Sequence, residues 1–233
     1  MVLRFFLLAI LFLFISCADF ERDNPYDPDG VDYIGNRVSY GSETYEGETY
    51  NTVVIGSQTW MAENLNYNTS GGKCYNNNES NCKIYGRLYD WATAMGLPSS
   101  CNSSNCASQV GAKHKGICPN GWHIPSAEEW GILIEFVGGS SAGRYLKALT
   151  GWDRDVYGND GNGEDKYGFS ALPAGGYDDD DGSFYDVGSY GDWWSSSEDR
   201  SDYADYRGIN RDGYVWYISA VKSNLKSVRC IKD

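Results

Sequence analysis

Ser126-Ala127-Glu128-Glu129-Trp130-Gly131-Ile132-Leu133-Ile134-Glu135-Phe136-Val137-Gly138-Gly139 carries start, face and stop signals for one helix. The Ser126 hydroxyl can accept the Glu129 amide while the Glu129 carboxylate reaches back to the Ser126 amide, which satisfies two N–H groups that a helix start leaves open. Trp130, Leu133, Ile134 and Val137 recur at helical spacing on one side, and two glycines end the run. The helix therefore has one apolar stripe to bury, and the flanking sequence must supply what covers it.

Upstream, Tyr50-Asn51-Thr52-Val53-Val54-Ile55, Gly56-Ser57 and Gln58-Thr59-Trp60-Met61 read as a β-hairpin with Gly first in a two-residue turn. A second helix is expected over Arg87–Met95, where Leu88, Trp91, Ala92 and Met95 share a face and Gly96 with Pro98 ends it. A short third helix is expected over Ala142–Leu149. Beyond Thr150 the chain is rich in Gly, Tyr and Asp. Phe169-Ser170-Ala171-Leu172, Tyr214-Val215-Trp216-Tyr217-Ile218 and Ser227-Val228-Arg229-Cys230-Ile231 read as short strands joined by long loops, with Asp212-Gly213 a turn. Strands at both ends and two or three short helices between them make an α+β single domain. No internal repeat is present.

The first residues are of a different kind. Arg4 is followed by an unbroken apolar run from Phe5 to Ile15, too short to span a bilayer and succeeded at once by acidic sequence. Residues 1–16 thus read as a signal peptide. Phe14-Ile15-Ser16-Cys17 resembles a bacterial lipobox, with Phe where Leu is usual, which implies that Cys17 is lipidated and becomes the mature N-terminus. Several acyl chains make such an anchor effectively permanent. Residues 17–39 form the lipidated N-terminus and an acidic, turn-rich tether, and residues 40–233 form the domain. Ala18 fits outer-membrane sorting by analogy with other lipoproteins, so a place in the bacterial cell envelope, on the periplasmic or cell-surface face of the outer membrane, is expected.

The formal charge of −13 makes the molecule repel phosphate backbones and anionic lipid surfaces, which excludes nucleic acid as a partner class. Seven cysteines, less Cys17, leave Cys74, Cys82, Cys101, Cys106, Cys118 and Cys230. An even set in an exported chain implies disulfides, and six cysteines allow 15 pairings. The expected set is Cys74–Cys82 and Cys101–Cys106 as loop staples, with Cys118–Cys230 tying the middle of the domain to its last strand. A zinc site lacks any C-x-x-C pair, and both histidines, His114 and His123, lie near Cys118 alone.

Thr52–Tyr67, Tyr85-Gly86-Arg87-Leu88-Tyr89, Cys118–Trp130, Tyr167–Gly175, Trp194-Ser195-Ser196-Ser197-Glu198 and Ser227-Val228-Arg229-Cys230, in that order, resemble the Fibrobacter succinogenes major paralogous domain. The resemblance covers nearly all of the domain and implies a surface or periplasmic lipoprotein without implying a reaction. More remotely, the capped Trp-bearing helix and a terminal strand ending in Arg-Cys are similar to C-type-lectin-like folds, including the formylglycine-generating group. This supports an α+β, disulfide-bonded domain and the Cys118–Cys230 bond. It transfers no chemistry, because the paired catalytic cysteines of that group and the sugar-binding triplets of calcium-dependent lectins have no counterpart here.

Two kinds of side chain remain as function carriers. The run Asp153–Glu164 follows most of an EF-hand loop pattern, with acids at positions one, three and twelve and Gly at six. Tyr157 and Asp160 break the pattern, and no helix signal follows. Asp153, Asp155, Asp160 and Glu164 are therefore read as candidate ligands for Ca²⁺ in a loop of another kind, against the plainer alternative of a solvated acidic turn. Asp178-Asp179-Asp180-Asp181 is a weaker candidate of the same sort. Of 19 Tyr and 8 Trp, many lie in the C-terminal third. Tyr177, Tyr185, Tyr190, Trp193, Tyr206 and Trp216 are the candidate ligand-binding rings, since aromatic faces beside polar edges hold sugars and peptides. About half of all the rings are expected in the core, Trp60, Trp130 and Trp194 first.

Catalysis has little support. His123 reads as structural, an even cysteine count leaves no free thiol, and no catalytic residue is assigned. The expectation is a non-enzymatic, lipid-anchored envelope binding or adhesion module, its ligand a polysaccharide. A structural or assembly subunit of an envelope complex is the alternative, and a polysaccharide-acting enzyme using a carboxylate pair is the third.

Overall fold

The computed structural model describes residues 38–233, which pack as one unit, Val38–Asp233. The signal peptide, Cys17 and the tether as far as Arg37 lie outside the described residues. Strands β1 (Tyr40–Tyr45), β2 (Glu48–Ile55) and β3 (Gln58–Met61) follow one another antiparallel. The expected two-residue turn at Gly56-Ser57 forms, with Ile55 opposite Gln58 and Gly56 at a φ of +61° that favours glycine. Next come β4 (Gly72–Lys73), α1 (Glu79–Tyr85), β5 (Leu88–Tyr89), α2 (Trp91–Met95), β6 (Trp122–His123), α3 (Ala127–Phe136) and α4 (Ala142–Leu146). The C-terminal third adds β7 (Gly176–Asp178), β8 (Ser183–Tyr185), β9 (Tyr190–Arg200), β10 (Tyr203–Asn210), β11 (Val215–Val221), β12 (Lys226–Ser227) and β13 (Ile231–Lys232).

The strands form a five-stranded sheet in the order β1-β2-β3-β13-β6, a six-stranded sheet in the order β11-β10-β9-β12-β5-β4, and the small hairpin β7-β8. This is a mixed α/β domain with few short helices and three disulfides. The last residues join the sheets, since β12 lies between β9 and β5 while Ile231 of β13 lies opposite Trp60 on one side and His123 on the other.

Helix α3 has the expected reciprocal capping box between Ser126 and Glu129 and ends before Gly138. Trp130, Leu133 and Val137 are buried, with Ile134 packed at the margin. Two expected helices are shorter than their sequence patterns. Leu88 and Tyr89 belong to a strand because they pair with Ser227 and Lys226, and the helix begins only after Asp90, whose carboxylate caps the Thr93 amide at 2.9 Å. Helix α4 stops at Leu146 because Lys147 leaves it to bridge Ala171. That bridge is also all the β structure that Phe169–Leu172 makes. The long β9–β10 hairpin and α1, capped by Asn78, are additions that the sequence reading lacks.

Alternation along β9 feeds two cores. Trp193 enters a cluster with Trp60, Trp130 and Phe169, where the Trp60 and Trp130 rings lie 4.7 Å apart. Trp194 enters the other, with Tyr89, Trp91 and Met61. Of the 15 pairings open to six cysteines, Cys74–Cys82, Cys101–Cys106 and Cys118–Cys230 form.

Three cations on the last stretch are fully buried, and each is satisfied differently. The Lys222 ammonium donates to the carbonyls of Cys101, Ser104 and Ser201 and to the buried Glu198 carboxylate. Lys226 donates to Asp192 and to the Tyr185 hydroxyl, each at 3.3 Å. Arg229 donates to the Asn64 side-chain oxygen at 2.7 Å and to the carbonyls of Phe169 and Ser170.

Candidate functional site

Cross-strand pairing puts Glu43, Tyr45, Glu48 and Tyr50 on one face of the β1–β2 hairpin, because Tyr45 lies opposite Glu48 and Glu43 opposite Tyr50. The hairpin turn at Glu46-Gly47 has both residues at positive φ, 50° and 84°, as a tight two-residue turn requires. Opposite this face runs Asn64–Asn68, held from several sides. The Leu65 N–H donates to Val228, and the Leu65 carbonyl accepts from the Arg87 N–H. The Asn66 N–H donates to the Tyr50 hydroxyl at 3.1 Å, and the Tyr89 hydroxyl donates to the Tyr67 carbonyl at 2.8 Å. Asn64 fixes the segment to the core by accepting from Trp193 Nε1 at 2.8 Å and from Arg229, while its own amide donates to the Tyr85 carbonyl.

Between these parts and α1 lies a cleft of about 330 Å³. Tyr45 and Tyr67 contribute rings whose centroids lie 5.3 Å apart. Burial, with Tyr67 and Glu46 nearby, pushes the Tyr45 phenol above its ordinary value, and burial does the same to Tyr50. Both are neutral hydroxyls at physiological pH. Helix α1 adds Glu79 and Lys83, and Arg87 follows it, with Cys74–Cys82 fixing the helix to the preceding turn.

Two residues of the lining carry a buried polar atom with no partner: Asn66 Oδ1 and Arg87 Nε. An unsatisfied buried polar atom costs about 1–3 kcal/mol, so such atoms are few in native proteins and mark places where a partner is missing. Asn66 Nδ2 donates to Glu48 at 3.3 Å, and a carboxylate only accepts, so the amide oxygen must point away. Arg87 Nη2 donates to Glu79 at 2.9 Å, and the Arg87 side chain is 9% exposed against 74% for Glu79. The cleft thus combines aromatic faces, a rigid floor, and, on two of its lining residues, a buried unpaired donor and acceptor. Such a surface can stack on a ring and bond its polar edge.

Of the six rings expected from sequence to bind a ligand, Tyr185, Tyr190, Tyr206 and Trp216 adjoin one another, while Trp193 and Tyr177 do not join them. Trp193 is fully buried and donates its indole N–H to Asn64, so it serves the core. Tyr185 and Tyr206 meet at Lys226, whose ammonium lies 3.9 Å from the Tyr206 centroid. Trp216 packs across Gly208, where any side chain would meet the indole, and pairs with Tyr190 at 5.5 Å. Tyr177 stands apart beneath Lys73 and against Phe184.

The acids of the run Asp153–Glu164 are held by neighbouring donors. Asp155, Asp160 and Glu164 line a second cleft of about 370 Å³ with Asp212, Arg144 and Lys147. Asp153 accepts from Ser189, Asp155 from the backbone and side chain of Asn159, Asp160 from Asn162, and Glu164 pairs with Arg144. The Lys147 ammonium also lies among these acids and donates to the carbonyls of Gly161 and Arg211. Burial lowers Lys147 to about 8 against the opposing pull of Asp212, Asp160 and Asp155. Among the described residues, the one group of three or more ligand atoms within 4.8 Å is Cys74, Glu79 and Cys82, whose cysteines form a disulfide.

The family model described as the Fibrobacter succinogenes major domain matches residues 53–232. The match begins within β2, so Asn66, Tyr67 and Arg87 lie inside it, and Tyr45, Glu48 and Tyr50 precede it. No curated protein and no solved structure matches the chain.

Proposed function

The chain belongs to the Fibrobacter succinogenes major domain family, and from that premise we propose that it is a lipid-anchored cell-envelope binding module whose ligand is a polysaccharide. One observation carries this reading: the Tyr45–Tyr67 pair walls a cleft whose polar lining includes an unpaired donor and an unpaired acceptor. Sugars present a flat apolar face and a hydroxyl-rich edge, and this lining complements both. The proposed contact surface is the β1–β2 hairpin with Asn66–Asn68.

Attachment in this reading is by lipid on Cys17, in the outer membrane, with the following acidic residues as tether. Among the described residues no helix is long and apolar enough to cross a membrane. A C-type-lectin-like assignment belongs to the same proposal, supported by the entry of β13 beside β3 and by the Cys118–Cys230 bond. Polysaccharide pull-down tests the reading. Retention of the purified protein on at least one glycan or cell-wall fraction is expected, and no retention on any of them would reject it.

A second reading, an assembly subunit, is favoured by the outer strand β11. It is seven residues long, carries no charge and exposes Tyr217 and Ile218, the features by which a sheet edge recruits another chain. Crosslinking in intact cells separates the two, since a subunit gives one recurrent protein partner.

A further inference from the structure

We propose that the cleft between the β1–β2 hairpin and α1 takes a neutral sugar ring through adjacent hydroxyls, with Asn66 as acceptor and Arg87 as donor, and discriminates against acidic sugars. The inference rests on the polysaccharide reading and narrows it to one chemical class. Charge is the first ground. Glu46, Glu48 and Glu79 line the cleft against Lys83 and Arg87, and Arg87 is already paired with Glu79. A ligand carboxylate would meet two free carboxylates for one free ammonium, on a chain of formal charge −13.

The unpaired atoms are the second ground. Asn66 Oδ1 requires a donor and Arg87 Nε requires an acceptor. A hydroxyl is both, so neighbouring hydroxyls of one sugar can satisfy the two atoms without bringing a charge. A carboxylate could serve Arg87 alone and would leave Asn66 unpaired. Asn66 Nδ2 and Arg87 Nη2 are each held by an exposed glutamate, Glu48 and Glu79. Both atoms left unpaired are closed to solvent in this structure, so a ligand that bonds them must displace Glu48 and Glu79, while Asn64 and Leu65 keep the floor in place. The Tyr45 and Tyr67 rings then supply the face on which a neutral pyranose stacks.

The test is titration calorimetry of the full-length protein with neutral oligosaccharides of glucose, mannose and xylose and with oligogalacturonate of matched length. At least one neutral series should bind and oligogalacturonate should bind at least tenfold more weakly. Asn66→Leu should weaken the neutral ligand at least tenfold at little cost to the thermal midpoint, because it removes an unsatisfied buried atom and one exposed 3.3 Å bond to Glu48. Arg87→Lys, which keeps the charge and loses Nε, should do the same. Tighter binding of oligogalacturonate, or unchanged affinity in a folded Asn66→Leu protein, overturns the inference and leaves polysaccharide binding standing. Failure of every saccharide to bind overturns both.

Discussion

Tyr67 and Asn64 sit three residues apart and do opposite work. Tyr67 packs tilted against Tyr45 at the cleft and at the margin of the core, so Tyr67→Ala should remove ring contact at a modest stability cost. An aromatic stacking loss of about 1.4 kcal/mol is a tenfold loss of affinity, to be read by calorimetry with the neutral oligosaccharide. Trp216→Ala, on the far side of β10, should leave that affinity unchanged, and an equal loss there would return the ligand surface to the C-terminal aromatics. Asn64 accepts from a buried indole N–H and a buried guanidinium. Asn64→Ala strands both donors and should lower stability by about 3 kcal/mol in urea denaturation. A cost below about 1 kcal/mol would mean that Arg229 has enough acceptors in Phe169 and Ser170.

At the scale of elements, the start of α3 also carries a titrating device. His123 Nε2 faces Glu129 at 2.9 Å and Nδ1 faces Asp233 at 2.7 Å, so both ring nitrogens must be protonated to donate to the two carboxylates. Burial opposes the charge, but bonds to Glu129 and Asp233 outweigh it and raise His123 above its ordinary 6.5. Glu129 moves the other way: burial would raise it, and bonds from His123 and Ser126 lower it below 4.5. The His123 contribution is fully present below about pH 6.5 and is lost as pH rises through its folded value. The Glu129 contribution is present above about pH 4.5 and is lost as pH falls through its folded value. Urea midpoints should therefore peak between these limits, and Asp233→Asn should lower the His123 titration followed by NMR. A His123 value below 6.5 in the folded protein would show that burial wins. The capping box itself is legible in sequence because it is local, and so is the Gly56-Ser57 turn; the cysteine pairing is legible because an even count and short spacings limit the choices. The cleft is not, since it joins residues 45–50, 66–68 and 79–87 through pairings that no local pattern specifies. Its available signals are the shared face of Tyr45, Glu48 and Tyr50, and the alternating amides Asn64, Asn66 and Asn68. The burial of Lys222, Lys226 and Arg229 has no local signal for the same reason, because their carbonyl and carboxylate partners are distant in sequence.

For the molecule as a whole, the C-terminal run from Lys226 to Lys232 is the joint. It gives strand partners to both sheets, accepts the Leu65 and Met61 amides on Val228 and Cys230, and carries the Cys118–Cys230 bond across 112 residues of chain. In the chain-entropy account, a cross-link stabilises according to the loop it closes, which gives about 5 kcal/mol for Cys118–Cys230 and about 2 kcal/mol for each short staple. The paired substitution Cys118→Ala with Cys230→Ala should therefore depress the urea midpoint most. Binding should rank differently. Cys74–Cys82 fixes α1, and α1 with Arg87 builds one wall of the cleft, whereas Cys101–Cys106 closes a loop outside that lining. Cys74→Ala with Cys82→Ala should thus weaken the oligosaccharide severalfold at a modest stability cost, and Cys101→Ala with Cys106→Ala should cost similar stability and spare affinity. Equal affinity in these two staple variants would place the ligand away from α1, since the two proteins differ chiefly in which wall has been released.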